Sequence, residues 1–187
     1  MKGCLVAGGI LLLLVAVAGL YVMGVYNGFV AKEEVCNQAW ANVESVLQRR
    51  FDLIPNLVNT VKGYAAHEKG VLEEVVRLRS QWGEAKTPEQ KAGVASMLDG
   101  ALGRLMVVVE SYPELKANQN FIALQDELAG TENRISVERQ RYNATVQEYN
   151  VAVRKMPRGF FARLFGFNVR APFEAAQGAE SAPVVAF

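Results

Sequence analysis

At 187 residues, the chain has room for about one domain and an appendage. Apolar residues make up 51% of it and charged residues 21%, and the formal net charge of +1 provides no overall attraction toward a polyanion. A nucleic-acid partner is therefore not expected.

The first part of the chain has the composition of a membrane-spanning segment. Residues 3–31 carry no charged side chain, and residues 5–25 are all apolar or glycine, which is about the 20 residues that a helix needs to cross a bilayer core. Tyr21 and Tyr26 lie toward the end of this stretch, as expected for aromatic side chains at a membrane interface. The pattern predicts a single-pass transmembrane anchor over residues 1–31.

The same stretch also has the order of a cleaved export signal. Lys2 supplies a charged start, an apolar run extends to Val15, and residues 16–18 have the small side chains of a cleavage site. Cleavage after Ala18 would leave an exported soluble bundle. The apolar character continues as far as Val25, which favours a retained anchor, and both interpretations stay open.

The residues around the anchor bear on its orientation and its pairing. The signal-like start favours a helical domain on the non-cytoplasmic side of the cell membrane, and we expect that side. Lys32, Arg49 and Arg50 favour the cytoplasmic side by the positive-inside rule. Gly24 and Gly28 have the spacing that lets two membrane helices approach closely, so a homo-oligomer through these glycines is possible.

Beyond the anchor, the apolar periodicity predicts four helices. The expected fold is all-α, with the N-terminal transmembrane helix continuing into an antiparallel four-helix bundle over residues 32–157. Pro55 is expected to end the first helix, because a proline inside a helix removes a hydrogen bond. The fourth helix is expected to run from about Gln119 to Met156.

The third of these helices has the clearest sequence signals. Thr87 is a predicted N-cap, Pro88 suits the first helical position, and Gln90 completes a capping box. Apolar residues then recur at alternating spacings of four and three up to Tyr112, directly before Pro113.

A run of alternating polar and apolar residues surrounds Pro55 and is expected to form a helix–turn–helix corner. Residues 49–58 read Arg-Arg-Phe-Asp-Leu-Ile-Pro-Asn-Leu-Val, followed by Val-Lys-Gly-Tyr-Ala at 61–65 and His-Glu-Lys at 67–69. These stretches closely resemble the signature of the LemA family of bacterial membrane-anchored helical proteins. The resemblance implies a helical architecture and a retained membrane anchor, and it implies no particular reaction.

Polar side chains of this corner and of the last long helix are candidates for one polar cluster. Tyr142-Asn143 and Tyr149-Asn150 recur seven residues apart, so both pairs face the same way along a helix, and they resemble a Tyr-Asn pattern of the family. Such a cluster is either an interaction site or a structural network, since buried ionic groups can fix a packing register. Its candidate members are Arg49, Arg50, Asp52, Asn56, Asn59, Lys62, Glu68, Tyr142, Asn143, Tyr149 and Asn150.

Residues 158–173 form a basic and aromatic segment. This composition indicates contact with a membrane surface, whereas the same phenylalanines could instead cap the core of the bundle, and both interpretations stay open. The antiparallel order of the helices would return the segment to the bilayer beside Tyr26. Residues 174–187 are predicted to be a disordered tail. The candidate membrane-surface residues are Arg158, Phe160, Phe161, Arg163 and Phe165.

The inventory of reactive residues gives little support to an enzyme. His67 is the only histidine, and Val71 stands where a zinc-protease helix needs its second one. The sequence contains no phosphate loop, dinucleotide fingerprint or nucleophile elbow. We therefore predict no catalytic residue, no metal site and no cofactor. The alternative is a membrane-associated enzyme that uses Asp52 and Glu68 for acid–base work.

The leading hypothesis is a single-pass, membrane-anchored scaffold. It would dock a protein partner, which the residues do not identify, or organise the membrane next to it.

Overall fold

The computed structural model describes residues 2–65 and 67–173, with side chains from residue 8 onward. In that part of the chain, helices are the only regular elements, and the predicted all-α class is confirmed. The helices are α1 (Lys2–Lys62), α2 (Lys69–Glu84), α3 (Pro88–Val109), α4 (Pro113–Lys116), α5 (Gln119–Arg154) and α6 (Arg158–Phe165).

The apolar start of the chain and the segment after it form one uninterrupted helix, α1. Among the described residues, two helices are long and apolar enough to cross a membrane, α1 and α3. In α3, 39% of the apolar window is buried inside the protein, as in a core helix, whereas in α1 the buried share is 6%. Leu12 and Leu20 are 72% and 70% exposed. This exposure is typical of a membrane anchor or an export signal and not of a core helix.

The predicted helix end at Pro55 is wrong, because α1 continues through this residue to Lys62. Proline inside a helix costs roughly 3 kcal/mol. Ile54, Leu57 and Val61 are fully buried on the same stripe, and each contributes about 1.5–3 kcal/mol through burial. Their packing outweighs the local penalty, so the proline is accommodated within the helix.

The first turn of the chain lies after Gly63 and not at Pro55. Backbone N–H groups of Tyr64 and Ala65 both donate to the Val61 carbonyl, at 3.0 and 2.8 Å, and the N–H of Glu68 donates to the Ala65 carbonyl at 3.1 Å. These bonds close the last turn of α1 before α2 begins. The helix–turn–helix corner that is expected at residues 49–58 is therefore absent, and these residues lie within helix α1.

The predicted start of α3 is confirmed by a complete capping box. The Gln90 N–H donates to the Thr87 hydroxyl oxygen at 3.2 Å, and the Thr87 N–H donates to the Gln90 side-chain oxygen at 3.3 Å. Pro88 occupies the first turn, where its missing N–H is not needed. Because these signals are local, the sequence alone located this boundary.

The described residues divide into two compact units, the first made of the stretches up to Ala39 and from Tyr142 to Pro172, and the second of the stretch from Trp40 to Arg141 with Phe173. In the second unit, Phe51 stacks on Trp82 with ring centroids 4.5 Å apart. In the first, Phe29 is 1% exposed. The antiparallel four-helix arrangement and the domain boundaries of the sequence analysis stay predictions, and the tail 174–187 lies outside the described residues.

Candidate functional site

Helix α6 packs closely on the end of α5 because its residue at the contact point is Gly159, which has no side chain. A Cβ atom placed on Gly159 would lie 2.9 Å from the carbonyl oxygens of Val153 and Arg154. Ala162 follows on the same side of α6 and is fully buried. Small residues on this side therefore hold α6 against the backbone of α5, and the larger side chains of α6 point elsewhere.

The side of α6 opposite this contact is apolar and exposed. At about 100° per residue, its four large side chains span an arc of roughly 140°. Phe160, Leu164 and Phe165 are 57%, 66% and 37% exposed, and Phe161 is half-buried. A helix on the surface of a water-soluble protein normally turns its polar side to solvent, whereas α6 exposes its apolar side. We call this surface the aromatic face of α6; it consists of Phe160, Phe161, Leu164 and Phe165.

The aromatic face adjoins the part of α1 where the apolar stretch ends. The rings of Phe161 and Tyr21 have centroids 6.1 Å apart, and those of Phe165 and Tyr26 are 5.3 Å apart, both edge to face. Phe167 adds a second contact to Tyr26 at 5.7 Å. The basic and aromatic segment therefore lies beside Tyr26, as the helix order predicted.

Arg158 packs against the same part of α1, and its side chain occupies the space next to Gly28. Its guanidinium carbon lies 6.0 Å from the centre of the Phe29 ring, and a Cβ atom on Gly28 would lie 3.0 Å from Arg158 Nη2. Gly28 thus leaves room for an arginine of its own chain, whereas Gly24 has nothing close by. Pairing of two anchors through Gly24 and Gly28 stays a prediction.

The recurring Tyr-Asn pairs of α5 bind the chain that follows α6. Asn150 donates to the Arg170 carbonyl and accepts from the Arg170 N–H, both at 2.8 Å. The Tyr142 hydroxyl lies 3.4 Å from the Ala171 carbonyl oxygen, to which it donates. Asn143 lines a neighbouring cavity. Tyr142 and Asn150 therefore contact the strap formed by residues 167–172.

Arg170 connects this strap to α1. Its guanidinium donates to the Asn37 side-chain oxygen at 2.7 Å and to the Glu33 carboxylate at 3.0 Å. It also lies over the Tyr149 ring, with 5.6 Å between the guanidinium carbon and the ring centre. Burial raises the pKa of Tyr149, the Glu33 carboxylate raises it further, and Arg170 opposes the rise. Tyr149 is therefore a neutral packing surface for Arg170.

The polar residues around Pro55 do not form one cluster. Arg50 is 7% exposed, with Nη1 2.6 Å from the Asp99 carboxylate and 2.5 Å from that of Glu132. Its neighbour Arg49 is exposed and pairs with Glu127. The remaining corner residues are exposed to solvent; they are Asp52, Asn56, Asn59 and Lys62.

Arg50 carries one positive charge and faces two carboxylates, those of Asp99 and Glu132. Burial raises the pKa of the Asp99 carboxyl, Arg50 opposes this rise and Glu132 adds to it. Arg50 Nε is buried and has no hydrogen-bond partner in the described part of the chain. One arginine thus holds two carboxylates from two different helices, which is the pattern of a group that fixes packing.

The two carboxylates of the enzyme hypothesis have separate partners. Asp52 accepts a hydrogen bond from Gln48 at 2.8 Å, one turn earlier in α1. Glu68 accepts from the Tyr112 hydroxyl at 3.3 Å, and desolvation and this carboxylate both raise the pKa of Tyr112. Within residues 8–65 and 67–173, no group of three histidine, cysteine or carboxylate side chains has the geometry to hold a metal ion. These contacts are those of ordinary helix surfaces.

Several residues that the structure makes important were missed in the sequence. Asp99 and Glu132 lie on different helices from Arg50, so no spacing in the sequence connects them. Gly159 lies within the basic and aromatic segment, and the only signal in the sequence is a residue without a side chain between Arg158 and Phe160. Arg170 belongs to the basic and aromatic segment, but its contacts with Asn37 and Glu33 of α1 depend on folding.

Comparison with known proteins agrees with this architecture. The model of the LemA family matches residues 39–187, which is most of the chain. The chain belongs to the LemA family. Magnetosome protein MamQ 2 of Paramagnetospirillum magneticum is 30% identical over 186 residues, covering 86% of this chain and 68% of the relative.

Two further relatives extend the comparison. Magnetosome protein MamQ of Magnetospirillum gryphiswaldense is 31% identical over 168 residues, covering 76% of this chain and 62% of the relative. Protein LemA of Metamycoplasma hominis is 21% identical over 129 residues, covering 68% of this chain and 59% of the relative. Family membership and the exposed apolar α1 together describe a membrane-associated helical protein.

Proposed function

We propose that this LemA-family chain is a single-pass membrane scaffold that contacts the bilayer twice. Helix α1 crosses the membrane, and the aromatic face of α6 lies in the interface beside it. The helical domain lies on the non-cytoplasmic side. At this surface the protein docks a protein partner or organises the adjacent membrane, and it carries out no reaction of its own.

The exposed aromatic face is the observation that carries the proposal. Burying a large apolar side chain stabilises by about 1.5–3 kcal/mol, so leaving Phe160 and Leu164 in water would forgo much of that. Basic residues near an anionic surface contribute about 1 kcal/mol each, and Arg158 and Arg163 border the aromatic face on its two sides. Apolar and basic groups so arranged are typical of an interfacial helix.

The position of this helix supports contact with lipid. The aromatic face touches Tyr21 and Tyr26, and tyrosines at the end of an apolar stretch favour the headgroup region. The MamQ relatives are named as proteins of the magnetosome, which is a structure and not a reaction, and this supports a scaffold.

Protection of α6 from trypsin tests the proposal. In spheroplasts treated from outside, cleavage after exposed Arg134 should be fast, and cleavage after Arg158 and Arg163 should be slow because lipid covers α6. The double variant Phe160→Ser/Leu164→Ser should raise cleavage within α6 at least tenfold, since each ~1.4 kcal/mol of lost interface contact is a factor of ten. Cleavage fragments are followed by mass spectrometry.

A matched control separates loss of lipid contact from a general effect of serine. Val35→Ser/Val137→Ser removes two apolar side chains that are 55% and 46% exposed and lie outside α6, and its α6 cleavage should equal that of the parent. Fast cleavage of α6 in the parent would contradict the interfacial position. Cleavage only in inverted vesicles would place the helical domain on the cytoplasmic side.

A further inference from the structure

A cavity of about 300 Å³ lies between the end of α5, α6 and the strap. Two arginines, Arg154 and Arg163, and the amide of Asn168 line it, together with apolar side chains that include Phe167 and Val169. No carboxylate is among the described residues that line it. The Asn168 amide nitrogen donates to the Gly166 carbonyl at 3.1 Å, so the two guanidinium groups are the charged groups of the wall, and both are positive, which is the chemistry of an anion site.

The turn after α6 forms one wall of this cavity. Gly166 adopts φ 81°, a left-handed conformation that favours glycine. The Phe167 N–H then donates to the Ala162 carbonyl at 2.9 Å, which ends the helix and folds the chain back over it. This turn places the exposed Asn168 in the cavity wall with Arg163, so two segments of the fold contribute to the site.

Within residues 8–65 and 67–173, Arg154 and Arg163 have no anionic partner. No ion pair joins Arg154 or Arg163 to a carboxylate in the described part of the chain. Arg163 Nε is 3.4 Å from the Gly159 carbonyl, to which it donates, and this contact orients its guanidinium. The terminal nitrogens of Arg163 keep donors for a ligand.

The cavity lies at the boundary of the aromatic face. Arg163 follows Phe160 by three residues and precedes Leu164, so it stands at the edge between the buried and the apolar sides of α6. If acyl chains contact the aromatic face, the first charged group beyond them and their ester carbonyls is a lipid phosphate. We propose that the cavity between Arg154, Arg163 and Asn168 binds the phosphate of a phospholipid headgroup, an inference that rests on the proposed interfacial position of α6.

Lipid binding to the full-length protein tests this site. The purified chain in mild detergent is titrated with dioleoyl phosphatidylglycerol and, separately, with dioleoylglycerol, which has the same chains and no phosphate. Native mass spectrometry measures the bound fraction. We expect the phosphate-containing lipid to bind at least tenfold more tightly, because charge-assisted hydrogen bonds to arginine require the phosphate.

Charge-matched variants locate the site. Arg154→Gln/Arg163→Gln should weaken phosphatidylglycerol binding at least tenfold, whereas Arg79→Gln/Arg134→Gln, which removes two exposed arginines of the second unit, should change it less than twofold. Equal losses in the two variants would mean diffuse electrostatic attraction and would overturn the site. Equal binding of the two lipids by the parent would overturn it as well.

A third arm distinguishes a lipid from a free anion. Inorganic phosphate at 100 times the lipid concentration should not displace phosphatidylglycerol, because it has no acyl chains for the aromatic face. Displacement would overturn the lipid assignment. The outcome is independent of the trypsin experiment: protected α6 without phosphate selectivity refutes only this site, whereas unprotected α6 refutes the proposed function.

Discussion

Replacing Arg50 with methionine should lower the free energy of unfolding by about 2–4 kcal/mol. The variant leaves the carboxylates of Asp99 and Glu132 beside each other without their shared cation. Loss of one partner of a buried ion pair costs about 3–5 kcal/mol, and we expect less because Asp99 and Glu132 side chains are 32% and 46% exposed. Denaturant unfolding in detergent, followed by far-UV circular dichroism, measures the change.

The adjacent arginine provides the control for this experiment. Arg49→Met breaks the exposed pair with Glu127, and exposed pairs contribute about 0–1 kcal/mol. The two variants remove the same charge at neighbouring positions of α1, so net charge and helix propensity are matched. Equal and small effects of the two variants would show that Arg50 does not hold the packing of the second unit.

Replacing Gly159 with valine should displace α6. The new side chain would collide with the backbone oxygens of Val153 and Arg154, which cannot turn aside as a side chain can, and overpacking of this kind costs about 1–3 kcal/mol. Because α6 is a short helix held by this contact, we expect the loss to be local. Hydrogen exchange of the α6 amides should accelerate at least tenfold.

Gly100 on α3 serves as the control glycine. It has open space around its Cβ position, so Gly100→Ala should stabilise the protein by about 0.5–1 kcal/mol. Hydrogen exchange of α6 should stay unchanged in this variant. Unaltered α6 exchange in Gly159→Val would contradict the role of Gly159 in seating the helix.

Local signals in the sequence predicted the parts of the fold that depend on neighbouring residues. The apolar stretch, the Thr87 capping box and the start of α5 at Gln119 are of this kind. Pro55 misled the prediction because its penalty is local, whereas the burial of Ile54 and Leu57 that offsets it depends on tertiary packing. A prediction based only on helix propensity therefore ends α1 at Pro55, before its actual end at Lys62.

The candidate site divides in the same way. The sequence shows the basic and aromatic composition of α6 directly. The expected order of the helices predicts its place beside Tyr26. The direction in which the phenylalanines point did not, because it depends on Gly159 meeting the backbone of α5. The corner residues were grouped by proximity in sequence, yet only Arg50 turns inward, since successive helix positions face different directions.

The depth of α6 in the bilayer tests the central claim most directly. Tryptophan is introduced at Phe160, Leu164 or Val35 of the full chain, and the proteins are reconstituted into vesicles whose acyl chains carry bromine, a contact quencher. Val35 is a matched control because it is apolar, 55% exposed and about 13 Å beyond Tyr26 along α1. The emission of Trp40 and Trp82 in the parent is the common background. The account predicts strong quenching of the added emission in Phe160→Trp and Leu164→Trp and little in Val35→Trp; equal quenching at all three positions would contradict it.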